Sequence, residues 1–232
     1  MDFVSPSSGV EEKNKMKTNF HPKKTRTEKR KSDFERVAHF IYEAGIHSKT
    51  PRSGFWFLGS GTQSVAEHLF RTALIAYSLC YFIPKANKEK VLLMSLSHDL
   101  GEGRTSDLNY VHQRYGRLAE AQAVADIAQS IPFGDTFKKL YEEEQERKTI
   151  EAKIVRDADQ LEWIASLRTE EEKGNKKARR WATLAVKRLA TASGKRLGAL
   201  LMKTHPDSWW FDEKDAWFIN RGEKNRKWRK GK

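Results

Sequence analysis

From Thr149 to Lys173 the chain repeats apolar residues at helical spacing: Ile150, Ile154, Val155, Ala158, Leu161, Ile164 and Ala165 fall on one broad face. A pattern this long predicts a mostly buried helix, and a domain that buries it must wrap other helices around it. The rest of the chain agrees. Ser32 reads as an N-cap before a helix through Phe34, Val37, Ala38 and Ile41. Ser64-Val-Ala-Glu67 has the spacing of a capping box, in which the Ser hydroxyl accepts from the Glu amide and the Glu side chain reaches back. The stretch from Ala73 to Phe82 is apolar nearly all round, which predicts a central, buried helix, ended by Pro84. Asn87 caps a helix from Lys88 to Leu100, stopped by Gly101 and Gly103. Further helices are expected over about 117–130, 135–147, 176–192 and 195–203, with loops over 50–61 and 104–116. No alternating β-branched run of strand length occurs and no internal repeat, so the fold class is all-α.

Charge is distributed unevenly. The net charge is +13, but residues 1–31 hold +5 of it and residues 221–232 hold +6, which leaves +2 for residues 32–220. A nearly neutral body with basic ends argues against a domain built to bind nucleic acid, and confines such binding to the tails. The N-terminal 31 residues are polar and lysine-rich without periodicity, and read as a disordered tail without the apolar core of a leader peptide. No apolar run is long enough to span a bilayer. One cysteine, Cys80, sits in an apolar run; it reads as a core residue in a reduced, cytoplasmic protein. The segment from His205 through Trp209, Trp210 and Phe211 to Trp217 is too apolar for a free tail and is expected to pack on the domain.

The chemistry is carried by a few polar residues inside apolar helices. His98-Asp99 ends the run Val91-Leu-Leu-Met-Ser-Leu-Ser. Adjacent side chains on a helix point about 100° apart, so these two converge only on something lying between them, as a metal ion would. An isolated pair of this kind proves little. Here His68 lies one turn into the preceding long helix, and Asp157 and Asp159 both interrupt the buried face of the 149–173 helix. Two imidazoles and two carboxylates form a mixed N/O donor set suited to Mn²⁺, Fe²⁺, Co²⁺ or Zn²⁺, with Mg²⁺ as a further candidate. Helical periodicity does not choose between Asp157 and Asp159.

The order His68, His98-Asp99 and a distant Asp resembles the H…HD…D pattern of the HD-domain phosphohydrolase superfamily. The blocks Thr50-Pro-Arg-Ser-Gly, Ser64-Val-Ala-Glu-His68, Ser97-His-Asp-Leu-Gly-Glu102, Thr105-Ser-Asp-Leu108, Ile150-Glu-Ala-Lys-Ile-Val and Ala158-Asp-Gln-Leu-Glu162 are similar to its 5′-deoxynucleotidase branch. The resemblance implies an HD-domain helical bundle, here over residues 32–203; the segment over 204–220 and the basic tail over 221–232 continue beyond the family core. It implies that His68, His98, Asp99 and Asp159 ligate one divalent metal and that the protein is a homodimer. It implies that Glu102 handles protons on the attacking water, that Asp107 faces the sugar of a deoxynucleotide, and that Arg52 meets the phosphate. Two departures stand out. Ser53 occupies a position where bacterial relatives carry an aromatic, a role open to Trp56, and Asp157 stands where relatives have a neutral amide.

The expected activity is release of phosphate from deoxynucleoside 5′-monophosphates. The runner-up within the superfamily is hydrolysis of nucleoside triphosphates. A guanosine alarmone substrate is disfavoured because Gly103, not an acid, follows Glu102. A degenerate HD protein that only binds nucleic acid is disfavoured because no ligand position is lost. The tails carry no site residue and are expected to be dispensable for hydrolysis.

Overall fold

The computed structural model describes residues 31–219. The described residues from Ser32 onward form one unit; the tails expected over 1–31 and 221–232 lie, apart from Lys31, outside the described residues. All regular structure among the described residues is helical, apart from one antiparallel bridge between Pro51 and Ser64. The helices are α1 (Asp33–Ala44), α2 (Gly54–Leu58), α3 (Val65–Phe82), α4 (Lys88–Ser97), α5 (Glu102–Thr105), α6 (His112–Tyr115), α7 (Glu120–Ser130), α8 (Gly134–Glu146), α9 (Ile150–Glu172), α10 (Lys176–Val186), α11 (Ala192–Leu201) and α12 (Ala216–Ile219), with a 3₁₀ turn over Gly45–Ser48.

Helix α9 is the axis of the bundle and touches α3, α4, α8, α10 and α11. Thr149 starts it by accepting the Ala152 N–H at 3.2 Å. It stops at Gly174, whose φ of 96° suits glycine, and which turns the chain so that the Gly174 and Asn175 N–H groups cap Glu171 and Glu170 carbonyls. Ile154, Leu161, Ile164 and Leu167 of α9 are fully buried with Leu79, Val91 and Met94 of α3 and α4. Each such side chain contributes about 1.5–3 kcal/mol by leaving water. A smaller cluster of Leu100, Ile127 and Ile131, with Phe40 and Phe137 against it, joins α1, α7 and α8.

Local signals translate directly. Ser32 and Ser64 both form complete capping boxes, with Glu35 and Glu67. The expected loops are more structured than their glycines suggested: 50–61 contains α2, and 104–116 contains α6 and the second half of α5. Cys80 is buried in the core, where loss of hydration pushes its thiol pKa up.

Two expectations need correction. α3 is buried on one face only; Phe70, Leu74, Tyr77 and Tyr81 are all more than half exposed and form a stripe along the other. The apolar face of α1 is likewise uncovered, with Phe34 91% exposed. Apolarity all round a helix identifies faces that avoid water without saying whether the chain itself covers them. The aromatic segment after Lys203 also differs from expectation. Trp209 is 84% exposed, and the rings of Trp210, Phe211, Trp217 and Phe218 meet one another, mostly edge to face, at 4.9–6.1 Å instead of sinking into the bundle. Asp207 explains part of this: it accepts from the Trp210 indole N–H at 3.1 Å and folds the segment locally.

Candidate active site

The bridge between Pro51 and Ser64 ties the start of α3 to the preceding turn, with Arg52 N–H donating to the Gln63 carbonyl and Val65 N–H to the Thr50 carbonyl. This fixes Arg52 beside the first turn of α3, from which His68 points inward. At the end of α4, the Glu102 N–H donates to the Asp99 carbonyl at 3.0 Å, so the chain folds Glu102 back toward His98 and Asp99. From α9 comes Asp159.

These residues meet. His68 Nε2 lies 3.4 Å from Asp159 Oδ1 and 3.6 Å from Asp99 Oδ2, and His98 Nε2 lies 3.4 Å from Asp99 Oδ2. Potential donor atoms of His68, His98 and Asp159 all fall within 4.8 Å of one another. Each imidazole is oriented by its other nitrogen. His98 Nδ1 faces the Ser95 carbonyl at 2.9 Å and His68 Nδ1 faces Glu162 Oε2 at 2.8 Å. Both partners are acceptors, so each Nδ1 carries a proton, and in the neutral ring each Nε2 offers a lone pair toward the carboxylates. His98 Nε2 is buried without a hydrogen-bond partner among the described residues. Lone pairs set against carboxylate oxygens repel unless a positive charge lies between them. The donor set therefore fits a divalent cation.

The charges around the cluster are displaced accordingly. Burial drives the Asp99 carboxyl upward, but His98, Arg52 and His68 outweigh it and hold it below the usual range. Burial drives His98 downward, and Asp99 and Asp159 reverse that to a net rise. Arg52 Nη1 donates to Asp99 Oδ2 at 3.1 Å, with Asp107 and Asp159 oxygens at 3.9 and 4.0 Å. Asp107 is held by the Ser53 N–H at 2.7 Å, while the Ser53 hydroxyl donates to the Asp107 carbonyl. Ser53 is fully buried, so its position is a latch for the Asp107 loop with no room for a large ring. Glu102 is pushed up to about 10, first by burial and then by Asp99, and its Oε2 has no partner among the described residues.

Asp157 belongs to a different structure. It is fully buried, and its two oxygens accept from the N–H groups of Ala190 and Thr191 and from the Thr191 hydroxyl, all at 2.6–2.8 Å. It fastens the turn before α11, and Gly194 is glycine because a Cβ there would strike the Asp157 carboxylate.

A cavity of about 370 Å³ opens over the cluster and is lined by all the expected residues except His68, which lies beneath its floor. Sequence reasoning missed part of it. Glu162 orients His68 and is itself held by Arg71, Gln63 and Ser166; although burial raises it, His68 first and then Arg71 and Gln63 take it down to about 2. Its spacing of three residues from Asp159 was the available signal. Glu120 and Glu144 also line the cavity. Burial, followed by Asp99, lifts Glu120 to about 7, and burial lifts Glu144 as well. Neither residue carries a local sequence signal.

An all-helical bundle with such a constellation defines the class of metal-dependent phosphohydrolases. The family model described as HD domain matches residues 47–200, and the chain belongs to that family. It is 32% identical over 136 residues to the 5′-deoxynucleotidase hdd1 of Schizosaccharomyces pombe, spanning 54% of this chain and 68% of that one. It is 28% identical over 147 residues to the mouse 5′-deoxynucleotidase HDDC2, spanning 60% and 72%. A conserved hypothetical protein of Pyrococcus furiosus has a similar solved structure, with a TM-score of 0.63 and 26% identity over 72% of this chain and 99% of that one. No helix among the described residues is long and apolar enough to cross a membrane.

Proposed function

We propose that this chain is a divalent-metal-dependent 5′-deoxynucleotidase that releases phosphate from deoxynucleoside 5′-monophosphates. The observation that carries the reading is the convergence of two imidazole lone pairs with the Asp99 and Asp159 carboxylates beside Arg52, with Asp107 fixed in the same cavity. The names of the relatives in yeast and mouse support it.

In this reading His68, His98, Asp99 and Asp159 hold one ion, which is Mn²⁺, Co²⁺, Fe²⁺ or Zn²⁺ by the mixed N/O chemistry of the donors. When bound, the ion supplies the Lewis acidity that makes water nucleophilic near neutral pH. Arg52 sets its guanidinium against the phosphate and offsets the charge that gathers as the bond to the 5′ oxygen breaks. Glu102 Oε2, buried and without a partner among the described residues, stands ready to take the proton of the attacking water; burial and Asp99 keep it protonated in the metal-free protein, and with a cation bound that push is opposed and Glu102 returns to the ionised form a base needs. Asp107 accepts from the 3′-hydroxyl of the sugar, where a neighbouring 2′-hydroxyl would crowd the latch made by Ser53.

The test is kcat/KM for dAMP, AMP and dATP in the wild type and in Asp107→Ala. A preference for dAMP over AMP of about tenfold or more, reduced in the variant, is expected for one lost hydrogen bond and its crowding. Equal use of dAMP and AMP would sink the deoxy selectivity. A second reading, hydrolysis of deoxynucleoside triphosphates, draws on Arg147 and Arg156 in the cavity wall, and exclusive use of dATP would select it.

We also propose that the protein works in the cytoplasm as a homodimer, paired through the α3 stripe of Phe70, Leu74, Tyr77 and Tyr81. Light scattering of Tyr77→Glu should report a monomer if that stripe is the interface.

A further inference from the structure

Arg52 and Asp107 address the phosphate and the sugar of a nucleotide, and neither meets its base. The aromatic rings near the cavity differ in what they offer. Trp56 is exposed but does not line the cavity; it borders a separate hollow with Pro51, Phe55 and Gly59, and its ring meets His112 edge-on at 6.2 Å. Trp163 lines the cavity but is buried, with Phe55 against it at 5.1 Å and Trp181 at 6.4 Å. Tyr110 lines the cavity and is half exposed.

Tyr110 is also held in place from two directions. Buried Asn109 accepts from the N–H groups of Val111 and His112 at 3.1 Å, which fixes the backbone on either side of Tyr110. The Tyr110 hydroxyl accepts from Arg188 Nη1 at 2.6 Å, and the guanidinium carbon lies 5.2 Å from the ring centre. Arg188 Nη1 also lies 3.3 Å from Gln160 Oε1, and Gln160 Nε2 donates to Asp159 Oδ2 at 2.8 Å. A chain of hydrogen bonds thus runs from the carboxylate of Asp159 to the ring of Tyr110. A half-exposed ring immobilised at the edge of a polar cavity is organised to stack a flat aromatic ligand with little loss of side-chain freedom.

We propose that Tyr110, held by Arg188, is the platform on which the nucleobase stacks. This rests on the nucleotide reading above and adds to it. Every base presents a π face, so a stacking platform accepts purines and pyrimidines alike. Tyr110 acts on binding, through ground-state contact remote from the reacting phosphorus, and so changes KM and leaves kcat alone.

The experiment uses the full chain loaded with Mn²⁺ and compares dAMP with 2-deoxyribose 5-phosphate, which keeps phosphate and sugar and lacks the base. Tyr110→Ala should raise KM for dAMP about tenfold with kcat within about twofold, the range that loss of a base–aromatic stack produces. It should leave both constants for 2-deoxyribose 5-phosphate unchanged, and calorimetric affinities for the two compounds should show the same split. Tyr110→Phe keeps the ring but loses the Arg188 hydrogen bond, and its KM for dAMP should fall between those of the wild type and Tyr110→Ala. If Tyr110→Ala weakens both compounds equally, the residue shapes the loop and the platform is wrong. If it weakens neither while the wild type turns over dAMP, the platform alone is wrong. If the wild type acts on neither compound, the nucleotide reading has failed and the platform falls with it.

Discussion

The two walls of the cavity are built differently. The wall formed by α3, the end of α4 and α9 presents His68, His98 and Asp159, and each is held by a second partner: Glu162, the Ser95 carbonyl and Gln160. The opposite wall, residues 102–116, contains two single-turn helices and hangs on Ser53 through Asp107. Ser106, next to Asp107, has φ 71° and ψ 163°, a region almost confined to glycine. Donors that must converge within a fraction of an ångström sit on long helices or directly at a helix end, with locked rotamers, while the contact that selects a sugar sits on a short, strained segment. Loops can change specificity without disturbing the metal geometry only if this division is real.

The sharpest way to break the comparison is to damage the helical wall. His98→Ala and Asp159→Asn should each lose stoichiometric metal and at least about a thousandfold in kcat/KM, with helicity retained. Asp157→Asn lies two residues from Asp159 on the same helix and should do the opposite. It should keep its metal while losing about 2–3 kcal/mol of stability, because one of the two acceptor oxygens in a buried network is replaced by an NH₂ donor facing N–H groups. Metal analysis beside thermal denaturation separates the two; a metal-free Asp157→Asn variant would reverse the assignment.

A smaller effect is expected one step out. Glu162→Gln keeps the shape and removes the charge that orients His68, and metal affinity should fall about 10–100-fold. Competition with a chelator of known affinity measures this, and an unchanged affinity would mean that the rotamer of His68 is fixed by other contacts.

Acidity tests the electrostatics of the cavity without any ligand. The carboxyls of Glu102 and Glu120 are raised to about 10 and about 7, so in the metal-free protein the folded state holds their protons more tightly than the unfolded state. That contribution is complete below about pH 4.5 and is lost as pH rises through the folded values. The melting temperature of chelator-treated protein should fall between pH 5 and pH 8, and Glu120→Gln should flatten the part of the decline up to pH 7. A decline of equal slope in both proteins would show that Glu120 is not raised.

How much of this was legible in the sequence follows from the range of each interaction. The caps at Ser32, Ser64 and Asn87 and the start of α9 at Thr149 depend on residues within one turn, and the spacing states them. The convergence of His68, His98 and the 157–159 region was legible as polar interruptions of apolar helices, but periodicity could not separate Asp157 from Asp159. That choice depends on Ala190 and Thr191, more than thirty positions away. Glu120 and Glu144 gave no sign for the same reason, and the exposed stripe of α3 looks in sequence like any buried face.

The loop wall offers the smallest expected effect and tests the other half of the comparison. Ser106 occupies its backbone region at a penalty of about 1–3 kcal/mol, sustained by the bonds from Ser53 to Asp107. Ser106→Gly removes that penalty but gives the unfolded chain more freedom, worth about 0.4–1 kcal/mol in the other direction. The net gain should be about 1 kcal/mol, a rise of roughly 2–4 °C in Tm for a domain of this size. Metal content should not change, since the helical wall is untouched. If the strain serves to press Asp107 toward the sugar, the stabilised variant should also lose part of the preference for dAMP over AMP. A variant that is more stable and equally selective would show that Ser53 alone positions Asp107. A variant that is less stable would show that the backbone of Ser106 relaxes at no cost, and the contrast between the two walls would then rest on their contacts alone.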